Sequence, residues 1–298
     1  MSRNGNDEAG DATSGGAAGS TGDGENALAQ ILGPAPPPIM VKHPGQQEIK
    51  PLPKRFYKDA TVGEAPIAVP AATPGISLCV GGYPVLLDGR GAKTPRRKAL
   101  VLPTEGLAGA VAAEWQAQLS VINPVLMPLT RLANTALDGV MGREADVRAD
   151  IVKYAGSDLL CYRAESPAAL TRRQAEHWDS VLAWANGRLG AVFQTGSGLM
   201  PVRQPPGIAT ALAVALEPLD AFRLTSLHVM TTLTGSAVLA LAVLEGELAA
   251  KAAWLAAHVD EDWQIERWGA DGEAEIRRAR RWTEMTAAAR MLELLGAD

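Results

Sequence analysis

The sequence predicts an α+β protein, in which a small β-rich N-terminal domain is followed by a larger α-helical C-terminal domain. Three observations carry that prediction. Between Lys54 and Leu102, short apolar runs are separated by a Gly pair and an Asp-Gly turn, at the spacing of an antiparallel sheet. From about Glu144 onward, apolar residues recur at helical intervals, and caps and stops divide the run. The opening stretch is rich in Gly, Ser, Ala and Pro and offers little that could be buried. The expected divisions are 1–53 for a disordered tail and linker, 54–125 for the β-rich domain with one helix, and 126–298 for the helical domain.

The totals agree with this division. A chain of 298 residues suits one large or two modest domains. A net charge of −5 gives no electrostatic footprint for nucleic acid or an anionic membrane. Cys79 and Cys161 lie far apart with no CxxC or Cys/His clustering, so they read as buried thiols in a reducing compartment. Asp7, Glu8 and Asp11 and the lack of an apolar h-region exclude a secretory signal or an Arg-rich transit peptide at the N-terminus. The longest apolar run, Leu227 to Leu244, is interrupted by His228, three threonines, Gly235 and Ser236, which marks a buried helix and not a membrane span.

Taken in order, residues 33–38 read GPAPPP and form an extended spacer. RFYKDATV at 55–62 alternates, and ISLCV at 76–80 is a compact apolar run. The Gly pair 81–82 joins that run to YPVLLDG as a hairpin. Asp88-Gly89 makes the next turn, and Lys98 to Leu102 closes the sheet. DGRGAKTP lacks the spacing of a phosphate loop and precedes no helix. Thr104 is a good N-cap for a helix running to about Leu119, with Leu107, Val111 and Trp115 on one face. MPLTRLANTALD at 127–138 restarts the chain, and its Arg131 suits either a buried ion pair or the surface. Ser166-Pro167 opens a helix that Gly190 ends. Helices are then expected over 207–216, 218–244, 247–268 and 272–295, separated by Pro218, Gly246 and Gly269.

The stretch DEDWQIERWG at 260–269 stands out. In a continuous helix, Trp254, His258, Glu261, Ile265 and Trp268 fall on one line, an acid within an aromatic and apolar stripe. Asp262 and Glu266 sit four apart with like sign, and acids near a helix C-terminus oppose its dipole. Such an end is either kept for a partner or neutralised by the following helix with its Arg277, Arg278, Arg280 and Arg281. The four histidines show no metal-ligand spacing, no GxSxG elbow is present, and a helix aims the acids over too wide an arc for one cation. His258 and Glu261 could still form an acid/base pair in an interdomain cleft, which is the competing, enzymatic reading.

Seven segments in order resemble the assembly chaperone family that binds the free alpha subunit of the catalytic sector of F-type ATP synthase. They are RFY at 55–57, LDGRGAKTP at 87–95, LPTEGLAGAVAAEWQAQ at 102–118, MPLTRLANTALD at 127–138, DLLCYRAESPAAL at 158–170, QAEHWDSVLAWANGRLG at 174–190 and DEDWQIERWG at 260–269. Trp263 stands where that family commonly has Tyr or Phe. The resemblance implies a smaller β-rich and a larger helical domain, and a chaperone that is not an enzyme. It further implies no ATP use, no metal or other cofactor, no small-molecule substrate and no membrane insertion. The implied partner is the alpha subunit, and the implied place is the bacterial cytoplasm, or the mitochondrial matrix for eukaryotic relatives. The family's functional acid falls in the 260–262 cluster. Glu261 is the chosen residue because it lies on the aromatic stripe, with Asp260, Asp262, Gln264 and Glu266 supporting it. Trp115, Trp263, Trp268 and Arg131 are expected to be structural.

Overall fold

The computed structural model describes residues 51–63, 82–198 and 200–296. The tail, ISLCV and Cys79 lie outside the described residues. The sheet is built around β2 (Tyr83–Leu87), which pairs antiparallel with β1 (Ala60–Val62), β3 (Arg90–Gly91) and β4 (Val101–Leu102). Asp88 and Gly89 turn the chain between β2 and β3 with positive φ, a conformation Asp tolerates and Gly adopts freely. One Asp88 carboxylate oxygen also accepts the backbone N–H groups of Lys58 and Asp59, which fastens the turn to the segment entering β1. Arg90 and Gly91 of the DGRGAKTP stretch are therefore strand.

Helix α1 (Glu105–Gln116) covers the sheet. Thr104 Oγ1 caps it by accepting the Leu107 N–H at 3.2 Å, and Leu107, Ala108, Val111 and Ala112 form its buried face. Trp115, half-buried, lies against Tyr57 with ring centroids 5.6 Å apart, and the Tyr57 hydroxyl donates to the Trp115 carbonyl at 2.8 Å. The anchor expected of Trp115 thus acts between α1 and the strand-like segment that leads to β1.

The helical part follows as α2 (Pro128–Thr135), a π turn over Ala136–Val140, α3 (Glu144–Ala155), α4 (Ala168–Leu189) and α5 (Pro206–Leu216). It continues with α6 (Ala221–Thr234), α7 (Ala237–Leu244), α8 (Ala250–Ala257), α9 (Val259–Trp268) and α10 (Gly272–Leu295). A short parallel pair, β5 (Tyr162–Arg163) with β6 (Gly196–Ser197), flanks α4. Pro167 is the residue before α4 and not its first helical residue, so Ser166 supplies no cap. Gly190 ends α4 in the left-handed conformation, as its position suggested.

The apolar run 218–244 is two helices. Gly235 stops α6 at φ 70°, and Ser236 Oγ accepts the Leu239 N–H to start α7. Asp158, fully buried and 80 residues earlier than Val238, supports that start by accepting the Leu160 and Val238 N–H groups at 3.1 Å each. Desolvation outweighs these donors and pushes its carboxyl up to about 6. Helix α7 is apolar all round and its six residues Ala237–Ala242 are buried, which makes it the centre of the bundle.

Leu52–Asp298 forms one unit in which sheet and helices share a continuous core from Tyr57 to Leu295. Helix α10 joins the two regions. It packs on α6 and α2, its Leu294 carbonyl accepts the Thr104 hydroxyl at 2.8 Å, and its Glu284 pairs with Arg131 of α2 at 3.0 Å. Arg131 is thus a half-exposed tie between helices.

Candidate partner-binding site

The site lies where α8, α9 and α10 meet, and its geometry begins with a break. His258 leaves helical geometry at φ −114°, ψ 18°, so the line from Trp254 to Trp268 is split between two helices. The His258 N–H bonds the Leu255 carbonyl, three residues back, at 3.2 Å. That frees the Trp254 carbonyl, which accepts from His258 Nδ1 at 2.7 Å, while the two rings stack with centroids 3.8 Å apart. Burial depresses the His258 pKa, so the imidazole is neutral near pH 7. Val259 and Trp254 are buried beside it.

The break reverses the electrostatic expectation for the acids. Asp260, Glu261 and Asp262 occupy the first turn of α9, where the helix dipole favours negative charge. Only Glu266 stays in the last turn, and there Arg173 of α4 grips it through two hydrogen bonds of 2.7 Å. That grip holds the Glu266 carboxyl below the usual range. Asp260 accepts from Gln174 of α4 at 2.7 Å, and Asp262 pairs with Arg278 of α10. These three acids fix α9 against its neighbours, but only Asp262 is met by the arginine-rich helix that follows; the partners of Asp260 and Glu266 come from α4.

Glu261 and Gln264 differ. The nearest cation-forming group to Glu261 is His258, whose Nε2 lies 3.8 Å away, beyond hydrogen-bond reach, and among the described residues Gln264 makes no side-chain hydrogen bond. Both line an open cleft of about 280 Å³ with Ile265 and Trp268 of α9, Gly269, and Asp271, Ala274, Glu275 and Arg278 at the start of α10. His258, the other member of the acid/base pair in the enzymatic reading, does not line this cleft.

The aromatic expectations divide. Trp263 is half-buried, with the Arg267 guanidinium 4.2 Å over its ring one turn later. Trp268 is 78% exposed and packs into no core, which corrects the structural role expected for it. Periodicity missed Arg173 and Gln174, because both act across a tertiary contact, and Glu275, which shares a cleft with α9 only through the packing of α10; the arginine-rich start of α10 was the visible signal for Arg278.

Comparison with known proteins gives a consistent picture. The family model described as ATP12 chaperone protein matches residues 54–186. The protein named atp12, mitochondrial, of Schizosaccharomyces pombe is 22% identical over 197 residues, 62% of this chain and 68% of that protein. Among solved structures, Atp12 from Paracoccus denitrificans is 41% identical with a TM-score of 0.72, covering 82% of this chain and 98% of that one. An aspartate-to-lysine mutant of the same Atp12p matches equally well, at 40% identity. A protein from Agrobacterium tumefaciens is 46% identical with a TM-score of 0.74, covering 91% and 95% of the two chains.

Proposed function

Because the chain belongs to the ATP12 chaperone family, we propose that it is an ATP-independent assembly chaperone of F-type ATP synthase. It binds the unassembled alpha subunit of the catalytic sector and shields that subunit's beta-facing surface. The observation that carries the site is the open cleft beside Trp268, where Glu261 alone of the four acids between 260 and 266 makes no side-chain hydrogen bond or close salt bridge to a Gln or Arg side chain among the described residues. A subunit surface destined for burial exposes apolar area and a few charges, and is an aggregation hazard until covered. A carboxylate beside an exposed indole offers such a surface register and specificity at modest net affinity, so the next subunit can displace the chaperone.

The protein acts by binding and not by catalysis. The turn at Asp88-Gly89 leads into strand and offers no helix N-terminus to a nucleotide phosphate. No helix among the described residues is long and apolar enough to cross a membrane. We place the protein in the bacterial cytoplasm.

Co-expression with the alpha subunit tests the partner. Soluble alpha subunit should rise and co-purify with the full-length chaperone in the absence of added nucleotide. Alpha subunit that remains insoluble, or stays soluble without co-purifying, contradicts the reading.

A further inference from the structure

We propose that the cleft between α9 and α10 receives one arginine side chain of the bound alpha subunit, with its guanidinium on the Trp268 ring and Glu261 and Glu275 as its counter-ions. The inference rests on the partner assignment above and goes beyond it by naming the chemistry of the contact. The cleft has an apolar floor, Ile265 and Ala274, and an indole left 78% exposed. Its rim is acidic. Glu275 makes no ion pair among the described residues, and Glu261 accepts no hydrogen bond, its nearest neighbours of cationic type being His258 at 3.8 Å and, at longer range, Arg278. The one cation on the wall, Arg278, is engaged by Asp262 from outside the cleft, and it is only about one-fifth exposed.

This combination selects its occupant. An apolar or acidic side chain would leave the two carboxylates unneutralised or repelled. An ammonium carries tightly held water that an apolar floor strips at a cost. A guanidinium is flat and weakly hydrated, stacks on indole, and presents several N–H donors to carboxylates at once. Charge complementarity and the unused aromatic face therefore point to arginine over lysine.

The test measures affinity of the purified full-length chaperone for the alpha subunit, at two salt concentrations, for Trp268→Phe, Trp268→Leu and Glu275→Gln. Both positions are exposed, so all three proteins should melt like the wild type. Trp268→Phe keeps a π face and should bind within about 3-fold of wild type, whereas Trp268→Leu keeps apolar bulk but should bind about 5- to 30-fold more weakly. Glu275→Gln should weaken binding about 3-fold and flatten its salt dependence. Equal binding by Trp268→Leu and wild type overturns the inference while leaving the partner assignment intact, as does an unchanged salt dependence in Glu275→Gln. Failure of the wild type to bind the alpha subunit overturns both.

Discussion

Glu114 lies on α1, yet its carboxylate serves α2. Met127, which precedes α2, offers no side-chain cap, and the first helical residue is Pro128. Across the intervening loop, Glu114 accepts the Leu129 and Thr130 N–H groups at 2.8 Å each and the Thr130 hydroxyl at 2.7 Å. One half-buried carboxylate thus satisfies two donors that a helix start leaves orphaned, and it sits at the positive end of the α2 dipole. Burial raises the Glu114 pKa in spite of these donors, so part of the gain is offset by desolvation. Glu114→Ala orphans two buried N–H groups at about 1–3 kcal/mol each, and water entering the half-buried site recovers some of this, leaving a net loss of about 3 kcal/mol. For a chain of this size that corresponds to a melting temperature lower by about 6–12 °C. Glu114→Gln retains one acceptor oxygen without the charge and should lose about half as much. Differential scanning calorimetry of the full chain measures both. An alanine variant melting within about 2 °C of wild type would refute the reasoning, because the carboxylate would then not be holding α2.

Three further outcomes follow from the same contacts. Trp115→Arg places a guanidinium against Tyr57 and removes a half-buried indole, which should cost about 2–4 kcal/mol in urea unfolding; wild-type melting behaviour would contradict it. Asp158 keeps its proton to about pH 6 when folded but loses it near the ordinary carboxylate value when unfolded, so the stability it contributes is fullest at low pH and falls as pH rises through 6. Wild type should therefore lose ground to Asp158→Asn in melting temperature between about pH 4 and pH 7, and a difference independent of pH would contradict this. Asp262→Ala frees Arg278 and should cost about 1–2 kcal/mol, whereas Glu261→Ala, which breaks no hydrogen bond, should stay within about 0.5 kcal/mol.

Much of the fold was legible because its signals are local. Thr104, Gly190 and Gly269 act on their own helix ends, and the Asp88-Gly89 turn depends only on which residues tolerate positive φ. The helix divisions at Gly235 and His258 were not legible, the first because it sits in an apolar run that continues on either side and the second because no Gly or Pro marks a stop there. The first is supported by Asp158 from 80 residues away and the second by a histidine satisfying its own broken turn. The acidic stretch was found from sequence, but its internal assignment was not. Arg173, Gln174 and Arg278 neutralise or bind three of its members from other helices, and no spacing rule shows which member is left over. Trp268 failed as a packing residue for a related reason. Helical periodicity places it on a line with Trp254, but the break at His258 turns that line away from the core.

The central claim is that Glu261, on the rim of the α9–α10 cleft, contacts the alpha subunit. The most direct measurement is the affinity of Glu261→Lys for the alpha subunit beside that of wild type, with the melting temperature of each recorded on the same sample. The account predicts a variant that stays folded, because Glu261 holds no structural hydrogen bond, and that no longer co-purifies with or solubilises the alpha subunit. A folded Glu261→Lys protein that binds as well as wild type would contradict the site, and the partner would then have to be held elsewhere on the chain.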